Sequence, residues 1–150
     1  MNEELIIRDA IPADLPLIYD SWKKSFRYDS GFGRSFTGFN DVYNSNYNKV
    51  IEHIILDEQT FTKIACLKNE PKVILGYIVF NTSTLHYIFI KEAFRNKFKI
   101  FEGLMGLIPG LRSYTHRTSH FDHKMKSYGH LIYNPFSLFH TEEQINGTSL

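Results

Sequence analysis

Three apolar runs in close succession constrain this chain most. "TKIACLK", "PKVILGYIVFN" and "TLHYIFIK", residues 62–68, 71–81 and 84–91, are rich in the β-branched and aromatic residues that favour strands. The polar break "NEP" between the first two suits a hairpin turn, and the runs together read as an antiparallel meander. What lies around them changes period. "ELIIRDAI" alternates as a half-buried strand, and "AIPADLPLIYDSWKKSF" places Leu15, Ile18, Tyr19 and Trp22 at helical spacing behind Asp14, a candidate N-cap. "YNKVIEHIILDEQ" sets Val50, Ile51, Ile54 and Ile55 on one helical face.

After the meander, "RNKFKIFEGLMGLI" reads as a helix through Phe98, Phe101, Leu104, Met105 and Ile108 that ends near "PG". "LRSYTHRT" follows as a strand, "SHFDHKMKSYG" as a helix capped by Ser119 and ended by Gly129, and "HLIYNPFSLF" as a last extended segment. The stretch from Phe26 to Tyr47 is different. Rich in Gly, Ser, Asn and aromatics, it buries no consistent face and reads as a long loop or broken helix, a feature often tied to function. Its Phe32, Phe36, Phe39, Tyr43 and Tyr47 are candidate anchors for a protein partner. The expected organisation is one domain over residues 1–140, with a frayed tail at 141–150.

Composition removes several classes of function. The 150 residues include thirteen Phe and nine Tyr at an ordinary apolar share, as in a globular rather than disordered chain. The single cysteine, Cys66, lies in "KIACL" and reads as a buried thiol in a reducing compartment. No apolar stretch is long enough to span a bilayer and no leader pattern opens the chain, so a cytoplasmic location is expected. The net charge of +1 gives no general attraction to nucleic acid. Residues 91–126 nevertheless carry eight cations, Lys91, Arg95, Lys97, Lys99, Arg112, Arg117, Lys124 and Lys126, against Glu92, Glu102 and Asp122. Such a face suits an anionic ligand. His116, His120 and His123 invite a metal reading, but no carboxylate or cysteine completes a zinc spacing, so no metal site is read.

The order strand, helix, helix, three antiparallel strands, helix, strand, helix, strand resembles the GNAT superfamily of acyl-CoA-dependent N-acyltransferases over nearly the whole chain. The sharper resemblance is "LHYIFIKEAFRNKFKIFEGLM". It is similar to that family's strand, turn and helix, in which an apolar strand end precedes Arg or Gln, two residues, Gly, one residue, then Gly or Ala. The resemblance implies a mixed α/β fold, a single GNAT-like domain with a central, mostly antiparallel sheet flanked by helices. It also implies a coenzyme A pyrophosphate site at Phe89, Ile90, Arg95, Asn96, Lys97, Phe98, Lys99 and Ile100, where backbone N–H groups at a helix start face the anion. Phe98 and Ile100 stand where the family has small residues. "LPLIYDSWKKSF", "YTHRT" and "IYNPF" resemble phage-encoded members.

Two outcomes follow for the altered turn. Either the backbone donors still bind coenzyme A with Lys97 and Lys99 adding charge, or Phe98 fills the site and the fold serves as a scaffold. For the reaction, the resemblance implies a Tyr acid four residues before the glycine that ends the last helix, where this chain has Met125. Tyr128 is the nearest substitute, and His86 and His116 are candidate bases by their ordinary pKa. The reading reached is a non-catalytic module acting through protein contacts made by residues 26–47, in a phage particle or against a host protein, and needing no cofactor. The alternative is an acetyl-CoA-dependent N-acetyltransferase of unknown amine acceptor.

Overall fold

In the computed structural model, which describes residues 3–124 and 127–138, six strands form one sheet in sequence order. The four long ones are β1 (Leu5–Asp9), β2 (Phe61–Leu67), β3 (Glu70–Phe80) and β4 (Thr84–Ile90), each antiparallel to the next. Two-residue strands β5 (Ser113–Tyr114) and β6 (Ile132–Tyr133) complete it, and both pairings there are parallel. The expected meander is present. The extended segments expected after it shrink to these two short pairings.

The central strands are apolar on both sides because both faces are covered. On one face, α1 (Leu15–Asp29) buries Ile18, Trp22 and Phe26 at four-residue spacing, and α3 (Asn40–Ile55) buries Tyr43, Tyr47, Ile51 and Ile54. They pack on Ile64, Cys66, Ile74, Tyr77, Val79 and Tyr87. On the other face, α4 (Ile100–Met105) sets Ile100, Phe101, Leu104 and Met105 against Ala65, Leu75, Ile78 and Ile90, joined by Phe121 of α5 (Ser119–Lys124). Cys66 is a buried free thiol, as expected. No helix among the described residues is long and apolar enough to cross a membrane.

Several local expectations change. Asp14 precedes α1 without capping it: its carboxylate accepts two hydrogen bonds from Arg8, at 2.8 and 3.0 Å, and one from the Ile11 N–H at 2.8 Å. Arg8 holds that carboxyl below the usual carboxylate range. The cap of α5 is Thr118, whose Oγ1 accepts from the Phe121 N–H at 3.1 Å, while the Ser119 hydroxyl turns to the Asp29 carbonyl.

The aromatic stretch is a broken helix rather than a long loop. Four-residue α2 (Gly31–Arg34) is capped by Ser30 and set so close to α1 that a Cβ on Gly33 would stand 2.3 Å from the Phe26 carbonyl oxygen. Buried Arg27 ties the corner together by donating to the carbonyls of Gly33 and Phe36 and to Asn40 Oδ1. Tyr43 and Tyr47 belong to the core, whereas Phe32 and Phe39 remain exposed. The expected tail at 141–150, and Met125, lie outside the described residues.

Candidate functional site

β4 and β5 pair only at Thr84↔Ser113 and Leu85↔Tyr114, with one further bond from the Thr115 N–H to the Leu85 carbonyl. Beyond that point β4 runs on to Ile90 without β5 beside it. A buried polar chain sits where the two strands part. Thr115 Oγ1 lies 3.2 Å from His86 Nδ1 and 2.8 Å from His116 Nδ1, and His116 Nε2 meets the Tyr47 hydroxyl. Burial pushes His86 down to about 4, and burial together with His86 pushes His116 down to about 3. Both rings are therefore neutral at pH 7. His116 is also packed edge-on against Trp22 and Phe26, and Trp22 stacks on Tyr87 at 4.8 Å.

The far end of β4 leads into the altered turn, which is not the start of a helix. A 3-10 turn over Glu92–Phe94 precedes Arg95, and α4 begins only at Ile100. Asn96, Phe98 and Lys99 have φ of 69°, 58° and 50°, the left-handed region where a Cβ is strained. Phe98 thus holds a backbone conformation suited to the glycine of the resembled pattern, without the glycine. Its ring is 37% exposed and lies outside the neighbouring cavity. Ile100, at the second small position, is buried in the core beneath α4.

That cavity, about 190 Å³, is bounded by Ile90, Phe94, Arg95, Lys99, Glu102 and Lys124, with His120 at its side. Three cations face one carboxylate. A helix of six residues has little dipole to offer, so side chains supply most of the positive charge here. Of the residues expected at this site, Ile90, Arg95, Asn96, Lys99 and Ile100 border the cavity; Lys97 and Phe98 are exposed outside it. Phe89 points to the opposite face, against Tyr77. Arg117, also of the basic stretch, is paired to Asp122. Arg95 Nε also donates to the Ile90 carbonyl at 3.3 Å, which fixes the guanidinium at the strand end.

A second, open cavity of about 700 Å³ lies on the α1 side, between Ser21, Lys24, Ser25, Tyr28, Asp29, Phe89 and Glu92. Arg95 and His120 border both cavities. His120 is the functional candidate that sequence reasoning passed over, since it was weighed only within a histidine run. The run itself divides: His116 faces the aromatic core, and His120 faces the cavities. Among the described residues no group of three His, Cys, Asp or Glu is arranged to hold a metal. Tyr128 packs its ring against Phe101 at 5.9 Å, in the core cluster beneath α4. Burial raises its pKa, and Glu102 adds to the rise.

No protein-family model matches the chain, and no curated protein matches its sequence. Solved structures do. The structure of AAC(6')-Iy in complex with the bisubstrate analogue CoA-S-monomethyl-acetylneamine is 13% identical, with 85% of this chain and 90% of that one covered and a TM-score of 0.51. A GNAT-family acetyltransferase from Staphylococcus aureus Mu50 is 16% identical over 70% of this chain, at a TM-score of 0.43, and the chain covers 63% of its length. The PaiA N-acetyltransferase from Thermoplasma acidophilum, in complex with coenzyme A, is 16% identical over 97% of this chain and 85% of that one, at a TM-score of 0.44. Likeness at this level concerns architecture: the chain has the mixed α/β fold of the GNAT acetyltransferases.

Proposed function

We propose that this chain binds an acyl-CoA, with acetyl-CoA as the reference ligand, and transfers the acyl group to an amine. The observation that carries the reading is the cation-lined cavity at the end of β4, beside the point where β4 runs on without β5, with Phe98 exposed and not part of its lining. A pyrophosphate placed there meets Arg95, Lys99 and Lys124, and charge-assisted hydrogen bonds to such an anion are about twice as strong as neutral ones. The AAC(6')-Iy structure holds a CoA-containing bisubstrate analogue, and this is the ligand class carried over. The larger cavity across Arg95 and His120 gives an acceptor its own approach. Acetyl-CoA at a hundred times its dissociation constant should stabilise the fold by about 2.7 kcal/mol and raise Tm by roughly 5–10 °C. An unchanged Tm at millimolar acetyl-CoA rejects the reading.

A second reading, a non-catalytic module that works through protein contacts in a phage particle or against a host protein, is favoured by a different observation. Phe32, Val42, Tyr133 and Leu138 border an apolar groove of about 220 Å³, and Phe39, Ile132 and Phe136 are exposed besides. Exposed aromatics of this kind are common interface anchors. It predicts that acetyl-CoA leaves Tm unchanged while substitutions at Phe32 and Tyr133 abolish partner binding.

A further inference from the structure

We propose that His120 takes the proton from the acceptor amine during acyl transfer, a role that rests on the acyl-CoA reading above. Its position is the first reason. Its ring borders the cation-lined cavity on one side and the open cavity beneath α1 on the other, so a thioester held in the first and an amine entering from the second meet beside it. The second reason is its bonding. Nε2 is covered by its neighbours and has no hydrogen-bond partner among the described residues, so an acceptor reaches it by displacing the groups that cover it. A buried ring nitrogen left without a partner is costly unless something arrives to satisfy it, and an amine N–H is such a donor.

The scaffold around His120 is fixed at two points. Its backbone N–H donates to Asp29 Oδ2 at 3.0 Å, which ties the start of α5 to the end of α1. Thr118 caps the same helix. Desolvation lowers the pKa of the ring, and Arg95 and Lys124 lower it further, while Asp29 opposes them. Among the described residues, the other charged or titratable groups around it are His123 on its own helix and Lys24, Tyr28, Glu92, Lys99 and Glu102 along the two cavities. The ring is therefore unprotonated at pH 7 and able to accept.

The step balances without any further reagent. An alkyl amine arrives as its ammonium form; it gives one proton to the His120 ring, and the neutral nitrogen so formed attacks the thioester carbonyl and forms the N–C bond. As the C–S bond breaks, its electron pair leaves with sulfur. The second proton, lost by nitrogen after attack, goes to the departing sulfur directly or through water, so coenzyme A leaves as a thiol, and the His120 ring returns its proton to solvent. His86 and His116 have no part in this, being held in the polar chain where β4 and β5 part.

The test compares the natural chain with His120→Gln, using acetyl-CoA with a panel of primary alkyl amines, and separately with hydroxylamine, which is already neutral at pH 7. Thiol release reports turnover, and calorimetry reports acetyl-CoA binding. The expected result for His120→Gln is a hundredfold or greater loss of kcat/KM with alkyl amines, little loss with hydroxylamine, and acetyl-CoA affinity within threefold of the natural chain. The acid limb of the kcat profile at saturating amine, with its midpoint below the ordinary histidine value, should vanish in the variant. Equal losses with both nucleophiles, an unchanged rate, or binding without turnover of any amine by the natural chain would overturn the assignment of His120. Failure of the natural chain to bind acetyl-CoA would instead overturn the reading beneath it.

Discussion

The two faces of the sheet handle their polar groups differently. Beneath α1 and α3, rings are packed against rings, and the polar atoms of Tyr47, His116, Thr115 and His86 are spent on one another, although Trp22 Nε1 has no partner of its own among the described residues. At the end of β4, by contrast, three residues adopt strained left-handed backbone, cations line a cavity and an imidazole nitrogen has no partner. The first region behaves as a core, and the second is the candidate site. Strain and unmet bonding potential persist only where the surrounding fold holds them or a ligand relieves them.

The largest way to break this contrast is Trp22→Ala, which removes a fully buried ring stacked on Tyr87. A loss of about 3–5 kcal/mol is expected by chemical denaturation, with acetyl-CoA affinity little changed in protein that remains folded. Ile100→Ala should follow at about 2–4 kcal/mol, because Ile100, although it also borders the cavity, is buried in the core beneath α4.

Acid sharpens the comparison next. His86 and His116 titrate near 4 and 3 when folded, so below the ordinary value of 6.5 the unfolded chain binds protons that the folded chain does not. Their contribution is fully present above pH 6.5 and is lost as pH falls toward 4, by up to about 1.4 kcal/mol per histidine per pH unit. Denaturation midpoints measured from pH 7 to pH 4.5 should show this slope, and His86→Gln should reduce it.

The smallest expected effect is the most diagnostic of the turn. Phe98→Gly should stabilise the protein by roughly 0.5–1 kcal/mol, since glycine adopts φ near 58° without strain and an exposed ring gives up little packing. The helix expected through Phe98 would instead make a glycine there costly. A measured loss of a kilocalorie or more would mean that the Phe98 ring carries packing its exposure does not reveal.

The meander was legible because three strongly apolar runs with a polar break between the first two leave few alternatives, and α1 and the second half of α3 were legible from four-residue spacing. The turn was misread for a physical reason. Phe98, Phe101, Leu104, Met105 and Ile108 keep helical spacing on paper, but Asn96, Phe98 and Lys99 take left-handed backbone that no periodicity signals. For the aromatic stretch the sequence left a long loop and a broken helix open, and the structure has the broken helix: Gly33 is required by the close approach of α2 to α1, and Arg27 satisfies the carbonyls that the break exposes. At the site, Arg95 and Lys99 were found from a motif, whereas Lys124 and His120 reach the same cavity from α5. Only folding brings them there.

The central claim, that the end of β4 is an anion site for an acyl-CoA and not a closed scaffold, is tested most directly by titration calorimetry of coenzyme A into the natural chain and into Arg95→Ala. The account predicts binding by the natural chain at a single site, and an affinity ten- to a hundredfold weaker once the guanidinium is removed, in line with about 1.5–3 kcal/mol for a hydrogen bond to a charged group. Absence of heat with the natural chain, or an affinity indifferent to Arg95, would contradict it.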